Sequence, residues 1–224
     1  MQSRILVVAP HPDDETLGCG GTLLHHIASD DEVHWLIVTG MRYEFGFAEF
    51  QVSQRQAEIK QISESYSFAD VHQLEFPPAR LDSIPKVKLI SAISDVMKKV
   101  MPEIVYLPYR GDVHTDHNVV FDAVVSCTKW FRYPFVRRVL CYETISETDF
   151  GLNPETKGFT PNSFVDITKY IDRKIEIANM YQTEIGEFPF PRSAEALQAL
   201  AKVRGVACGC LAAESFVLLR EIIK

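Results

Sequence analysis

The chain has 224 residues, 46% hydrophobic and 24% charged, which is enough to bury a core in one globular domain and too apolar for disorder. Its 30 acidic against 23 basic side chains leave a net charge of −7, excluding a dedicated nucleic-acid binder, whose phosphate contacts need a basic face. No apolar run approaches the roughly 20 residues of a membrane span, and five cysteines without framework spacing point to reduced thiols in a cytoplasmic protein.

Residues 5–9 (Ile-Leu-Val-Val-Ala) predict a buried strand, too short for an export signal, followed by an amphipathic helix over 15–29 and a second strand over 33–39. A loop rich in Gly and aromatics (40–50) leads to a polar helix over 52–66 and a short strand over 71–74. Pro77 and Pro78 break the chain before a helix over 85–101, whose Pro85 suits a first turn. A buried strand (103–107), a loop (108–115) and a helix (116–131) come next. Residues 138–142 and 164–167 read as later strands, and 169–181 and 194–223 as mostly helical. Apolar runs alternating with helix-period segments are the mark of βαβ units. The predicted class is therefore α/β: a single three-layer α/β/α domain spanning 1–224, with a mainly parallel Rossmann-like sheet. Functional groups in such folds gather at the carboxyl ends of strands, near a reversal in strand order.

Two loops that directly follow buried strands carry most of the chemistry. The first reads Pro10-His11-Pro12-Asp13-Asp14-Glu15: one imidazole and three consecutive carboxylates. That much charge at a strand end is costly unless it is solvated, caps a helix or holds a cation. Capping of the next helix by Asp13 or Asp14 accounts for one acid only, and leaves His11 between two rigid prolines unexplained. The second loop reads Asp112-Val113-His114-Thr115-Asp116-His117, with two histidines at i and i+3 on one face of a helical turn. Imidazole and carboxylate without cysteine suit a catalytic zinc, with three protein ligands and one open position. His11, Asp14 and one histidine of the second loop satisfy that count. Asp116 either accepts an imidazole N–H or caps the helix beginning there, Asp112 is loop support, and Glu15 is a structural first-turn acid.

On these residues the sequence resembles the PIG-L/LmbE family of zinc-dependent de-N-acetylases. That family carries Pro-His-Pro-Asp-Asp-Glu after its first strand and His-x-Asp-His in a later loop, here Pro10–Glu15 and His114–His117. Gly20-Gly21-Thr22-Leu23 and Arg55-x-x-Glu58 extend the match over roughly the first 130 residues. The resemblance implies zinc ligands His11, Asp14 and His117, one zinc per chain, with another divalent ion such as Fe²⁺ in the same set. It implies Asp13 as general base and His114 as an acidic partner oriented by Asp116, with His114 or protonated Asp13 supplying the proton to the leaving amine. The substrate implied is a small N-acetylated amino sugar, nucleotide-linked or on a glycoconjugate, and homo-oligomerisation is a family-level expectation.

Arg55, Arg110 and Arg192 are the candidate substrate contacts: Arg55 for sugar hydroxyls or a phosphate, Arg110 for the mouth of the site, and Arg192 for an anionic leaving group. Residues 130–135 read as core or subunit interface, and Cys208 and Cys210 as small buried residues in an apolar helix. Other amides, a thiol conjugate or an N-formyl sugar, would use the same atoms. A Rossmann-type oxidoreductase lacks its Gly-x-Gly-x-x-Gly fingerprint, since His11–Asp14 stands in that place. A non-catalytic sugar- or metal-binding scaffold would have no need of Asp13 and His114.

Overall fold

Alternate residues of strand β1 (Arg4–Ala9) enter opposite hydrophobic cores in the computed structural model, which describes residues 2–152 and 158–223. Leu6 and Val8 pack under helices α3 (Lys86–Val100) and α4 (Thr115–Ser126), through Leu89, Ile93, Val120 and Val124. Ile5, Val7 and Ala9 face the other layer, where α1 (Asp14–Ala28), α2 (Glu49–Tyr66) and α5 (Ile171–Ala178) supply Leu23, Ile59, Ile62 and Ile177. A strand with both faces covered needs a continuous apolar run, which is what β1 has. The remaining strands are β2 (Glu32–Thr39), β3 (Asp70–Phe76), β4 (Ile104–Pro108), β5 (Arg138–Tyr142), β6 (Ser163–Asp166) and β7 (Ala213–Glu221). They form one seven-stranded sheet in the order β3-β2-β1-β4-β5-β7-β6, all parallel but β7. This is a single α/β domain with a mainly parallel sheet flanked by helices. Met1, residues 153–157 and Lys224 of the expected 1–224 span lie outside the described residues. Among the described residues no helix is long and apolar enough to cross a membrane.

The chain moves outward from β1 through β2 to β3, then returns to lay β4 on the other side of β1. That reversal opens a crevice at the carboxyl ends of β1 and β4. The two charged loops are the segments that follow those neighbouring strands, so fragments remote in sequence meet in space.

Three expectations are corrected: the C-terminal helix, the end of α4 and the burial of two cysteines. The C-terminal segment is helical only as α6 (Ala194–Cys208); Gly209, at φ +82°, ends it with a left-handed cap, and β7 follows between β5 and β6. Helix α4 stops at Ser126 instead of 131, because the Ser126 and Thr128 hydroxyls donate to the carbonyls of Asp122 and Val125, in competition with further helix. Cys208 is exposed at the last position of α6 and Cys210 lies half-buried beyond it, so neither is a buried residue of the helix; of residues 130–135, Trp130 and Phe131 are exposed and Tyr133 is buried.

Helix α1 is broken at Cys19, whose backbone (φ −143°, ψ 19°) is not helical. The break frees the N–H groups of Gly21 and Thr22, which donate to the Glu214 carboxylate of β7 at 2.9 and 2.7 Å. Lys174 of α5 neutralises Glu214 at 2.7 Å, and all of this is buried. A Cβ on Gly18 would lie 2.2 Å from the Tyr142 ring, so only glycine lets α1 approach β5 this closely.

Candidate metal centre and adjoining cleft

His11 leaves β1 after Pro10, whose carbonyl is held by the Thr39 N–H and hydroxyl. The turn that follows puts Asp13 at φ 141°, a conformation an L-residue keeps only when its surroundings enforce it. Glu15 supplies the constraint: its Oε2 accepts the Asp13 N–H at 3.1 Å, while Oε1 accepts from Thr16 and Tyr181. The His11 N–H meanwhile donates to Asp14 Oδ2 at 2.9 Å. In the second loop the His114 ring caps α4, its Nδ1 accepting the Asp116 N–H at 3.1 Å. His117 follows in the first helical turn, and Asn118 ties the loop together through the Asp112 and His114 carbonyls.

Three donor atoms converge. Asp14 Oδ2 lies 3.4 Å from His11 Nδ1 and 3.3 Å from His117 Nε2. Metal bonds of about 2.0–2.2 Å at a tetrahedral angle place ligand atoms roughly 3.3–3.6 Å apart, which both Asp14 spacings match, and all three donors lie within 4.8 Å of one another, so the set suits a divalent cation. The outward nitrogen of each ring is held by a carboxylate: His11 Nε2 by Asp116 Oδ2 at 3.0 Å, and His117 Nδ1 by Asp112 Oδ2 at 2.8 Å. Such contacts fix which nitrogen carries the proton and leave the other free to ligate. A second grouping, His11 with His114 and Asp116, is also close enough. There, however, the Asp116 oxygens already accept the Ala79 and Leu81 N–H groups, and His114 Nδ1 is occupied by its helix cap.

Burial would lower both metal-side imidazoles, but the carboxylates outweigh it. Hydrogen bonds to Asp116 and Asp14 bring His11 up to about 9, and the Asp14 charge with the Asp112 bond brings His117 up to about 10. Asp14 is held well below the usual carboxylate range, against its burial, by the facing His117 and His11. The point of convergence thus favours positive charge. Asp13 is displaced the other way, pushed well up by burial and by Asp14 beside it, with Arg192 opposing. His114 is lowered by burial and by the other two histidines, which matches a neutral ring whose proton sits on Nε2.

Beside the donors opens a cavity of about 220 Å³, lined by His11, Asp13, His114, Arg55 and Arg192 with apolar Met41, Ile59 and Pro78. Arg55 and Arg192 are thus where a substrate would meet them, but both are already engaged. Arg55 donates to the Pro12 carbonyl, Thr183 and Glu184. Arg192 donates to Asp13 (2.8 Å), Glu184 (3.1 Å), Glu147 (3.0 Å) and Ser146 (2.8 Å). Arg110 is elsewhere: it is exposed, pairs with Asp122 at 2.9 Å and is absent from the cavity lining. Asp116 is paired by its side chain with His11, not with His114. Asp112 proves to be the partner of a candidate ligand, and Glu147 and Glu184 were not singled out in sequence, because they lie in aperiodic loops with no motif around them.

A family model described as "PIG-L: GlcNAc-PI de-N-acetylase" matches residues 6–128, more than half of the chain. The chain belongs to the PIG-L family. Among PIG-L relatives, a diacetylchitobiose deacetylase of Thermococcus kodakarensis is 26% identical over 202 residues, covering 82% of this chain and 71% of that protein. A probable N-acetyl-alpha-D-glucosaminyl L-malate deacetylase 2 of Bacillus cereus is 30% identical over 195 residues, covering 82% of this chain and 84% of its own. The crystal structure of a conserved protein of Thermus thermophilus superposes with a TM-score of 0.77 at 26% identity, covering 100% of this chain and 97% of the other. The PIG-L match contains the convergent donors with Asp112 and Asp116, whereas Glu147, Glu184 and Arg192 lie beyond it.

Proposed function

We propose that this chain is a metal-dependent N-deacetylase, with zinc as its ion, that hydrolyses the acetamido group of an amino sugar to the free amine and acetate. The observation that carries the reading is the Asp14-centred donor set, with both imidazoles anchored by carboxylates and a further carboxylate, Asp13, facing the cavity next to it. Two of the relatives above are named as deacetylases of N-acetylated sugars, which supports the substrate class.

A divalent cation at these donors lowers the pKa of a bound water to about 7 and polarises a carbonyl oxygen. Everything else falls to the chain. Asp13 takes the water proton; its raised basicity and its backbone, held by Glu15, suit that role. Arg192 fixes the Asp13 carboxylate by a single 2.8 Å bond to Oδ2. The oxygen of the deprotonated water bonds to the acetyl carbonyl carbon, and His114, with Nδ1 committed to the helix cap, offers Nε2–H to the oxyanion that results. Collapse breaks the C–N bond, and protonated Asp13 returns its proton to the leaving amine.

The test is acetate and amine release from N-acetylglucosamine derivatives by the zinc-loaded protein. Asp13→Asn is expected to keep its metal and lose about 100- to 10,000-fold in turnover, the usual contribution of a positioned acid–base group. His117→Ala is expected to lose metal affinity. Turnover of Asp13→Asn at the parent rate would remove the assigned base.

A further inference from the structure

Helix α6 runs out into Cys208-Gly209-Cys210, and neither cysteine is among the convergent donors or lines the cavity beside them. In a continuing helix, residues two apart point to opposite sides, roughly 200° around the axis. Two glycines undo that here. Gly209, at φ +82°, turns the chain back, and the N–H groups of Gly209 and Cys210 both donate to the Gly205 carbonyl, at 2.8 and 3.1 Å. A Cβ on Gly205 would lie 2.5 Å from the Cys210 carbonyl oxygen, so only glycine admits so close a return. As a result the two sulfurs are in contact, 3.4 Å apart.

Access separates this pair from the other thiols. Cys19, Cys127 and Cys141 are buried, and burial pushes each of them up, which leaves little thiolate to react. Cys208 is exposed and Cys210 half-buried. Partial burial and the hydrogen bond to Cys208 push the Cys210 thiol up to about 11, which makes it the protonated member of the pair at neutral pH. That thiol donates to the Ala212 carbonyl at 3.3 Å. To reach Cys208 it has only to leave this carbonyl, and a cavity of about 480 Å³ beside it, lined also by His25, Asp166, Thr168 and Tyr170, gives it room to turn. The Ala212 carbonyl keeps the Ile167 N–H at 2.9 Å, so no acceptor is stranded by the move.

We propose that Cys208 and Cys210 form a site of thiol–disulfide exchange, whose reagent is a small-molecule disulfide such as oxidised glutathione and whose product is an intrachain disulfide across Gly209. The Cys208 thiolate attacks one sulfur of the reagent, forming a mixed disulfide and expelling the first thiolate. Capping Cys208 also removes the hydrogen bond that helps to keep Cys210 protonated. Cys210 then loses its proton, and its sulfur attacks Cys208 Sγ and expels the second thiolate. Two protein thiols are oxidised to one disulfide, the reagent is reduced to two thiols, and the two protons pass from the first pair to the second. The bond staples the cap of α6 away from the donor set, so the inference is independent of the deacetylase reading.

The experiment equilibrates the folded full chain with oxidised and reduced glutathione, traps free thiols by alkylation and maps a tryptic digest. Both cysteines fall in one peptide, residues 205–220, which holds no other cysteine. That peptide is expected to lose two hydrogens in mass and to regain them with excess reduced glutathione, while Cys19, Cys127 and Cys141 remain thiols. In Cys210→Ser the reaction is expected to stop at a glutathione adduct on Cys208. The equilibrium constant for closure, read within the same peptide, is expected to be larger in the folded parent than in the parent in urea by about tenfold or more, because the fold holds the two sulfurs together. A parent that stops at the adduct, a closure constant no larger folded than in urea, or equal oxidation of the three buried cysteines would overturn the inference.

Discussion

Replacing Asp112 by Asn isolates the support of one metal-side imidazole. Asp112 and His117 are both buried and meet at 2.8 Å, with the other Asp112 oxygen accepting from Thr148 at 2.6 Å. Asn has nearly the same shape and can still accept the His117 N–H through its oxygen, so the change removes charge and little else. A hydrogen bond to a charged group is worth about 1.5–3 kcal/mol against about 0.5–1.5 for a neutral one. The difference, about 1–1.5 kcal/mol, corresponds to about tenfold weaker zinc binding, at the low end of the 10–100-fold usual for residues behind a ligand. Asp112→Ala goes further, because it leaves a buried N–H without a partner, at about 1–3 kcal/mol more. Competition against a chromophoric zinc chelator measures the series, with Asp122→Asn, a half-buried pair partner of Lys86 and Arg110 outside the donor set, as the unchanged reference. Parent-like affinity in both Asp112 variants, or an Ala variant no weaker than Asn, would refute the reasoning.

The pH dependence follows from His11 and His117, raised from 6.5 to about 9 and about 10 in the metal-free protein. Protonated imidazoles stabilise that form fully below pH 6.5, and the contribution is lost as pH rises toward 9–10. Zinc needs both rings neutral, so its affinity should climb between pH 6 and 9, by up to about two decades per pH unit, with proton release detectable by calorimetry in buffers of different ionisation enthalpy. A flat profile would show that the two rings are not the ligands. Lys174→Met strands the buried Glu214 carboxylate and should cost about 3–5 kcal/mol in urea unfolding; a loss below about 1 kcal/mol would mean that Glu214 does not depend on the lysine. Gly18→Ala gains about 1 kcal/mol of helix propensity but drives a methyl into the Tyr142 ring, which is itself tied to the Val8 carbonyl at 2.9 Å. Overpacking at about 1–3 kcal/mol wins, and Tm should fall by a few degrees; a rise would show that α1 can retreat from β5.

The parallel half of the sheet was legible because β1, β2 and β4 are buried on both faces and announce themselves as unbroken apolar runs. The convergence of His11, Asp14 and His117 was legible because they sit in the two loops that follow such runs. Asp116 pairs with an imidazole as the sequence suggested, but with that of His11 and not of His114, for a geometric reason. His114 and His117 share a face of the turn, but a residue two positions from His114 does not, so the Asp116 side chain turns to His11 and the backbone at Ala79 and Leu81. Strand β7 was missed because a short apolar run such as Phe216–Leu219 has no period that separates strand from helix. Glu147 and Glu184 gain their meaning only from Arg55 and Arg192, contacts that no local pattern encodes.

The candidate donors come from one stretch of polypeptide, whereas part of the charged network beside them comes from another. Residues 11–117 contribute the donors and the acids behind them, while Glu147, Glu184 and Arg192 come from after residue 128. Substitutions after residue 128 can therefore reset the charge around Arg55 and Asp13 while leaving the donor residues themselves unchanged.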